Sequence, residues 1–122
     1  MKRLTHKEEM IMQILWRLEK AFVKEIIAEI IALGEPAPPY NTISSIVRKL
    51  DTEGIVGHEA FGKTYRYFPI LKKEAYRKSS FRQFIDNYFG GSKEQMLSYF
   101  VSEEKIDPAE LDELLDQIKN KE

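Results

Sequence analysis

Apolar residues near the start of the chain recur at steps of three and four: Ile11, Ile14, Leu15 and Leu18 form one stripe, with Trp16 at its flank. That period places them on one face of a helix. Thr5 and Glu8 have capping-box spacing, the Thr hydroxyl serving the third helical amide and the Glu carboxylate the cap amide, and Leu4 precedes them as a hydrophobic staple. The helix should therefore begin near Thr5. A second stripe, Val23, Ile26, Ile27, Ile30 and Ile31, stops at Gly34. The segment Gly34-Glu35-Pro36-Ala37-Pro38-Pro39 must then be a loop, because its prolines remove backbone donors and push their predecessors out of the α region. From Asn41 to Glu53 the helical period returns, with Ile43, Ile46, Val47 and Leu50 on one face and Thr42, Ser45, Arg48, Lys49 and Thr52 on the other. Its cap falls on Tyr40 or Asn41, and Gly54 ends it. Beyond Gly54 the period changes to two: Ile55–Glu59 and Thr64–Phe68 are β-branched and aromatic segments around a turn at Ala60-Phe61-Gly62-Lys63. This predicts a hairpin ended by Pro69.

Three short helices and a hairpin within roughly 70 residues form the order of a winged helix-turn-helix, so residues 1–71 are assigned to such a DNA-binding domain. In that fold the polar face of the third helix enters the major groove and the hairpin wing reaches phosphates. Asn41, Thr42, Ser45, Arg48, Lys49 and Lys63 are accordingly the candidate DNA contacts. A polar face that meets only water, or a winged helix that binds protein, is the alternative. Residues 72–122 are predicted to be helical: Phe81, Phe84, Ile85, Tyr88 and Phe89 make an aromatic stripe up to Gly90-Gly91. Ser92 and Gln95 are spaced as a second capping box before Met96, Leu97, Phe100 and Val101. Asp107, Pro108 and Glu110 then open a last helix whose apolar face is Leu111, Leu114, Leu115 and Ile118. This tail is too short to enclose its own apolar groups. Packing on the front or pairing with a second copy would cover them, and pairing is favoured because the front already has stripes enough for a core. Phe81, Phe84, Ile85, Tyr88, Met96, Phe100, Leu111, Leu114, Leu115 and Ile118 are the candidate dimerisation residues.

Composition narrows the chemistry. The 122 residues carry 19 Lys+Arg, 20 Asp+Glu and no cysteine, which excludes disulfides, thiol nucleophiles and thiolate metal sites. The net charge of −1 conceals a balance of +4 over residues 1–80 and −5 over 81–122. A basic front suits a polyanion and an acidic rear a protein. No apolar run approaches the ~20 residues needed to span a bilayer, and the absence of a secretion signal makes the cytoplasm the expected location.

Gly57-His58-Glu59-Ala60-Phe61-Gly62-Lys63-Thr64 matches the phosphate-loop pattern GxxxxGK[ST] letter for letter. Its physical context is wrong: Glu59 would sit beside phosphate, and Tyr65-Arg66-Tyr67-Phe68-Pro69 is strand-like where a helix must begin. Gly62-Lys63 is better read as a wing tip. Adjacent carboxylates at Glu8-Glu9, Glu103-Glu104 and Asp112-Glu113 read as solvated charges, and His6 and His58 as surface or phosphate-side residues. With no nucleophile constellation, neither an enzyme nor a cofactor is expected.

Leu4-Thr5 with Glu8, Ile11-Met12, Leu15-Trp16, Asn41-Thr42-Ile43, Leu50, Gly54, Gly62-Lys63, Tyr67 and Pro69 together resemble the penicillinase-repressor (BlaI/MecI/CopY) family. The likeness continues through Phe81, Phe84, Gly90-Gly91 and Leu111-Asp112-Glu113-Leu114. It implies a homodimeric winged-helix repressor on an inverted-repeat operator, with Asn41, Thr42, Ser45 and Lys49 as recognition-helix contacts and Lys63 as the wing cation. The copper-sensing branch carries a cysteine-rich tail, which this chain lacks. In the penicillinase branch a membrane-bound sensor protease triggers cleavage within the first helix of the dimerisation region, commonly at an Asn-Phe bond. The matching position is Tyr99-Phe100, where the Phe is kept and the Asn is not.

Overall fold

In a computed structural model describing residues 3–121, the first helix, α1 (His6–Leu18), starts from the predicted capping box. Thr5 Oγ1 accepts from the Glu8 amide at 3.2 Å and Glu8 Oε1 accepts from the Thr5 amide at 2.9 Å. Two residues of strand, β1 (Ala21–Phe22), lead into α2 (Val23–Ala32). The proline loop follows, then α3 (Tyr40–Thr52), β2 (Val56–Phe61) and β3 (Thr64–Pro69). The three strands form one antiparallel sheet in the order β1-β3-β2. Three helices with a hairpin wing are the predicted arrangement, and β1 is an addition to it. Its pairing of Ala21 with Tyr67 and Phe22 with Arg66 ties the start of α2 to the wing.

The core is the meeting point of the helical stripes. Ile11, Met12 and Leu15 of α1, Ile26 and Ile30 of α2, and Val47 and Leu50 of α3 are buried together with Val56. Each such side chain contributes about 1.5–3 kcal/mol through removal from water. Trp16, on the flank of the stripe, donates its indole N–H to the Leu71 carbonyl at 2.8 Å and packs beside Tyr76. The Tyr76 hydroxyl in turn accepts from the Leu4 amide at 3.0 Å, so Leu71 is fastened to α1 and Tyr76 to the residue before its cap.

Several local expectations change. Pro39 occupies the N-cap of α3 in place of Tyr40 or Asn41, its fixed φ suiting the entry from the proline loop. The wing turn is shorter than predicted: Phe61 pairs with Thr64, leaving Gly62-Lys63 as a two-residue loop. Gly62 has φ 62° at the position where a type II′ hairpin needs glycine. Pro69 lies within β3 opposite Val56 as its last residue. Glu8 is not a solvated charge, since it is only 3% exposed and the capping geometry draws it inward.

By internal contacts the chain divides into Met1–Lys78 and Ser79–Glu122, a division that falls within α4 (Lys73–Phe89). The second unit continues with α5 (Lys93–Glu103) and α6 (Pro108–Lys119). Asp107 caps α6 by accepting from the Glu110 amide at 2.8 Å, with Pro108 at the first turn as predicted. Ser92 caps α5 by accepting from the Gln95 amide at 3.1 Å, but its hydroxyl partner is Glu94, and the return bond of a full capping box is not made. Among the described residues no helix is long and apolar enough to cross a membrane.

Candidate nucleic-acid interface

Helix α3 presents the face the sequence assigned to it. Ile43, Val47 and Leu50 point into the core, while Asn41, Ser45, Arg48 and Lys49 are exposed and Thr42 is half-buried. Arg48 Nη2 lies 3.3 Å from Ser44 Oγ, and Thr52 spends its hydroxyl on the Arg48 carbonyl at 3.0 Å. Lys49 differs from its neighbours, because its ammonium is 3.9 Å from the buried Glu8 carboxylate. A capping residue of α1 thus partly neutralises a cation of α3. Lys63 is exposed at the wing tip, and among the described residues neither it nor Arg48 makes an ion pair.

Between α3 and the hairpin lies a groove of about 530 Å³. Arg48 and Lys63 supply its positive charge, Ser44 and Thr64 hydroxyls, and Tyr40, Tyr65 and Tyr67 most of its remaining wall. No carboxylate is among the described residues that line it. Burial raises the Tyr67 hydroxyl pKa above its ordinary value, Asp51 adding to the rise and Arg48 opposing it, so the phenol remains a proton donor. His58 joins the hairpin to α3 through Asp51 and stacks on Tyr65 with ring centroids 4.4 Å apart. His58 is a surface residue, as expected, and its Nδ1 meets the Asp51 carboxylate.

Alternation along the strands sends Glu59 and Arg66 to the other face of the hairpin. There Lys20 and Arg66 flank Glu59 at 3.3 and 3.5 Å. The Lys20 hydrogen bond is the main cause of a Glu59 pKa held below the usual carboxylate value. Arg66 also stacks over Phe61 at 4.8 Å. The octapeptide Gly57–Thr64 with phosphate-loop spelling is therefore β2, a tight turn and the first residue of β3.

The residue periodicity that found the α3 face passed over the groove walls. Tyr40, Ser44, Thr64, Tyr65 and Tyr67 come together only when the hairpin folds against α3. The alternation of Tyr65 and Tyr67 in a strand was the one signal that placed two of them on a common face. In the second unit Phe81, Phe84, Tyr88, Phe100, Leu114, Leu115 and Ile118 are exposed, Met96 and Leu111 are half-buried, and Ile85 is buried at 7%. Tyr99 and Phe100 lie exposed on α5.

Comparison with known proteins decides the family: the penicillinase repressor family matches residues 4–120. The chain belongs to the penicillinase-repressor family. Its members are transcriptional repressors and not enzymes, in agreement with the rejection of the phosphate-loop match. The penicillinase repressor of Bacillus licheniformis is 21% identical over 122 residues, 98% of this chain and 94% of that protein. The methicillin resistance regulatory protein MecI of Mammaliicoccus sciuri is 22% identical over 111 residues, 91% of this chain and 89% of that protein. Among solved structures, the DNA-binding domain of the repressor BlaI superposes with a TM-score of 0.52 at 22% identity, covering 62% of this chain and 94% of that domain. The fold of this family member is thus a winged helix followed by helices.

Proposed function

We propose that this chain is a dimeric, sequence-specific DNA-binding repressor of the cytoplasm that occupies an inverted-repeat operator. The observation that carries the proposal is the α3 face, where Asn41, Thr42, Ser45 and Arg48 accompany Lys63 of the wing on one side of a winged helix. Small polar groups at this spacing suit base edges, and cations beside them suit phosphates. Lys49 belongs to the same surface, its charge tempered by Glu8. Residues 1–71 serve as the DNA-binding domain and 72–122 as the dimerisation region. The exposed apolar groups of that second region support pairing, because exposed clusters of large apolar side chains mark contact surfaces.

Release by a sensor protease that leads to cleavage at Tyr99-Phe100 fits the same scheme. Both residues are exposed on α5, and a cut there separates α6 with Leu111, Leu114, Leu115 and Ile118 from the rest. Monomers then bind a two-fold operator weakly, since the second half-site is no longer tethered.

The test is a titration of the full chain against the DNA upstream of its own gene across a salt series, with stoichiometry measured in parallel. Two chains per inverted repeat and a log-affinity that falls steeply with log salt are expected, because phosphate neutralisation releases counterions. Binding that is absent, or has no salt slope, would overturn operator binding and favour a winged helix that docks protein.

A further inference from the structure

The groove between α3 and the hairpin differs from the base-reading face beside it. Resting on the proposal that this side of the molecule meets duplex DNA, we infer that the groove seats one sugar–phosphate unit of the DNA backbone, with Tyr40 and Tyr65 as its two walls. The phosphate belongs in the half of about 530 Å³, where Arg48 and Lys63 supply charge and Ser44 supplies a hydroxyl, that of Thr64 being donated to the Phe61 carbonyl at 2.9 Å. The Arg48 guanidinium makes one 3.3 Å contact with Ser44, which leaves further N–H donors of its planar fork for an oxyanion. No carboxylate is among the described residues that line this half. Tyr40 and Tyr65 line both this half and the recess beside it, so that each turns its ring to the sugar and its hydroxyl to the phosphate.

The adjoining recess has the opposite character. About 390 Å³ in volume, it shares Val23, Tyr40, Thr64 and Tyr65 with the polar half and adds the Phe22 ring, with Lys24 and Glu25 at its edge, Glu25 Oε1 accepting from the Phe22 amide at 2.9 Å. Aromatic and aliphatic walls fit the apolar side of a deoxyribose better than a second phosphate. On the far face of the hairpin, Glu59 is paired with Lys20 and Arg66, so the cations on that side are offset by a carboxylate while those of the groove are not. A seat for backbone carries no sequence information. Tyr40 and Tyr65 are therefore positioning residues, which set the depth and angle at which Asn41, Thr42 and Ser45 meet base edges.

The experiment compares Tyr40→Phe, Tyr65→Phe and the double variant with Lys63→Ala, using the full chain, a mixed-sequence duplex and the upstream duplex, each over a salt series. Both tyrosines are about half exposed, and loss of a hydroxyl leaves ring packing intact; thermal melting checks this directly. The double variant should bind both duplexes about tenfold more weakly, by the same factor, with the salt slope unchanged, since hydroxyls bonded to phosphate release no counterions. Lys63→Ala should instead lower the slope by about one. Affinities within twofold of the parent on both duplexes would overturn the seat while leaving DNA binding in place. A loss confined to the upstream duplex would also overturn it, because the tyrosines would then be reading bases. If the parent chain binds neither duplex, the proposed function itself fails, and the seat with it.

Discussion

At the scale of single residues, Tyr67 and Gly62 answer to different physics. Tyr67 is buried at the α3 side of the sheet, and its pKa lies above the ordinary phenol value mainly through desolvation. A raised folded-state pKa means that the associated stability is complete below the unfolded value of about 10 and is lost as pH rises through the folded value. Melting temperatures from pH 8 upward should therefore fall more steeply for the parent than for Tyr67→Phe; parallel curves would show that this phenol is not responsible. Gly62 is governed by backbone geometry alone. Its φ of 62° favours glycine, while a Cβ at that position would meet nothing within 4 Å. Gly62→Ala should then cost about 1–2 kcal/mol, from conformation and not from a clash, as read by chemical denaturation. A loss well above that range would point to a contact the turn does not contain.

Whole elements were legible where the signal was local. The Thr5–Glu8 box, the first hydrophobic stripe, the proline loop and the Asp107-Pro108 start each announce themselves within a few residues and stand where the pattern put them, whereas the second stripe keeps Val23, Ile26 and Ile30 in the core and leaves Ile31 exposed. The polar face of α3 followed from periodicity in the same way. What stayed hidden depends on partners distant in sequence. Ala21-Phe22 becomes a strand only because Tyr67 and Arg66 come alongside, and no two-residue pattern encodes that. Glu19 adopts φ 72° after α1 although it is not glycine, so the chain reversal there left no letter to read. The groove walls were invisible for the same reason, being drawn from the start of α3 and from the wing. Local and long-range contributions also differ in size. Thr5→Ala removes one cap and should cost about 0.5–2 kcal/mol, whereas Leu15→Ala opens a hole in the fully buried core and should cost about 2–5 kcal/mol. Equal losses by denaturant titration would mean that the cap does more than hold the first turn.

At the scale of the molecule, the two ends of the chain have unlike surfaces. The first unit buries most of its stripes in one core, Ile31 excepted, whereas in Ser79–Glu122 large apolar groups such as Phe84, Tyr88, Phe100, Leu114 and Ile118 remain exposed, Tyr88 by 69%. A second copy is the partner proposed for them, and a stable pairing needs on the order of 1,000 Å² or more of buried surface. Substituting two leucine or isoleucine positions of one helix tests this without touching the winged helix. Leu114→Glu with Ile118→Glu places two charges on the apolar face of α6, where both residues are exposed in the single chain. Sedimentation should show the parent as a concentration-dependent dimer and the double variant as a monomer with unchanged helicity. On DNA the consequence should be unequal. Affinity for a single half-site should stay the same, while affinity for the full inverted repeat should fall by about 10²–10⁴, the factor lost when a second binding event is no longer intramolecular. Should the variant remain dimeric, α6 is not the seam. Should it become monomeric yet hold the full repeat as tightly as the parent, pairing is not what gives the repressor its grip on DNA.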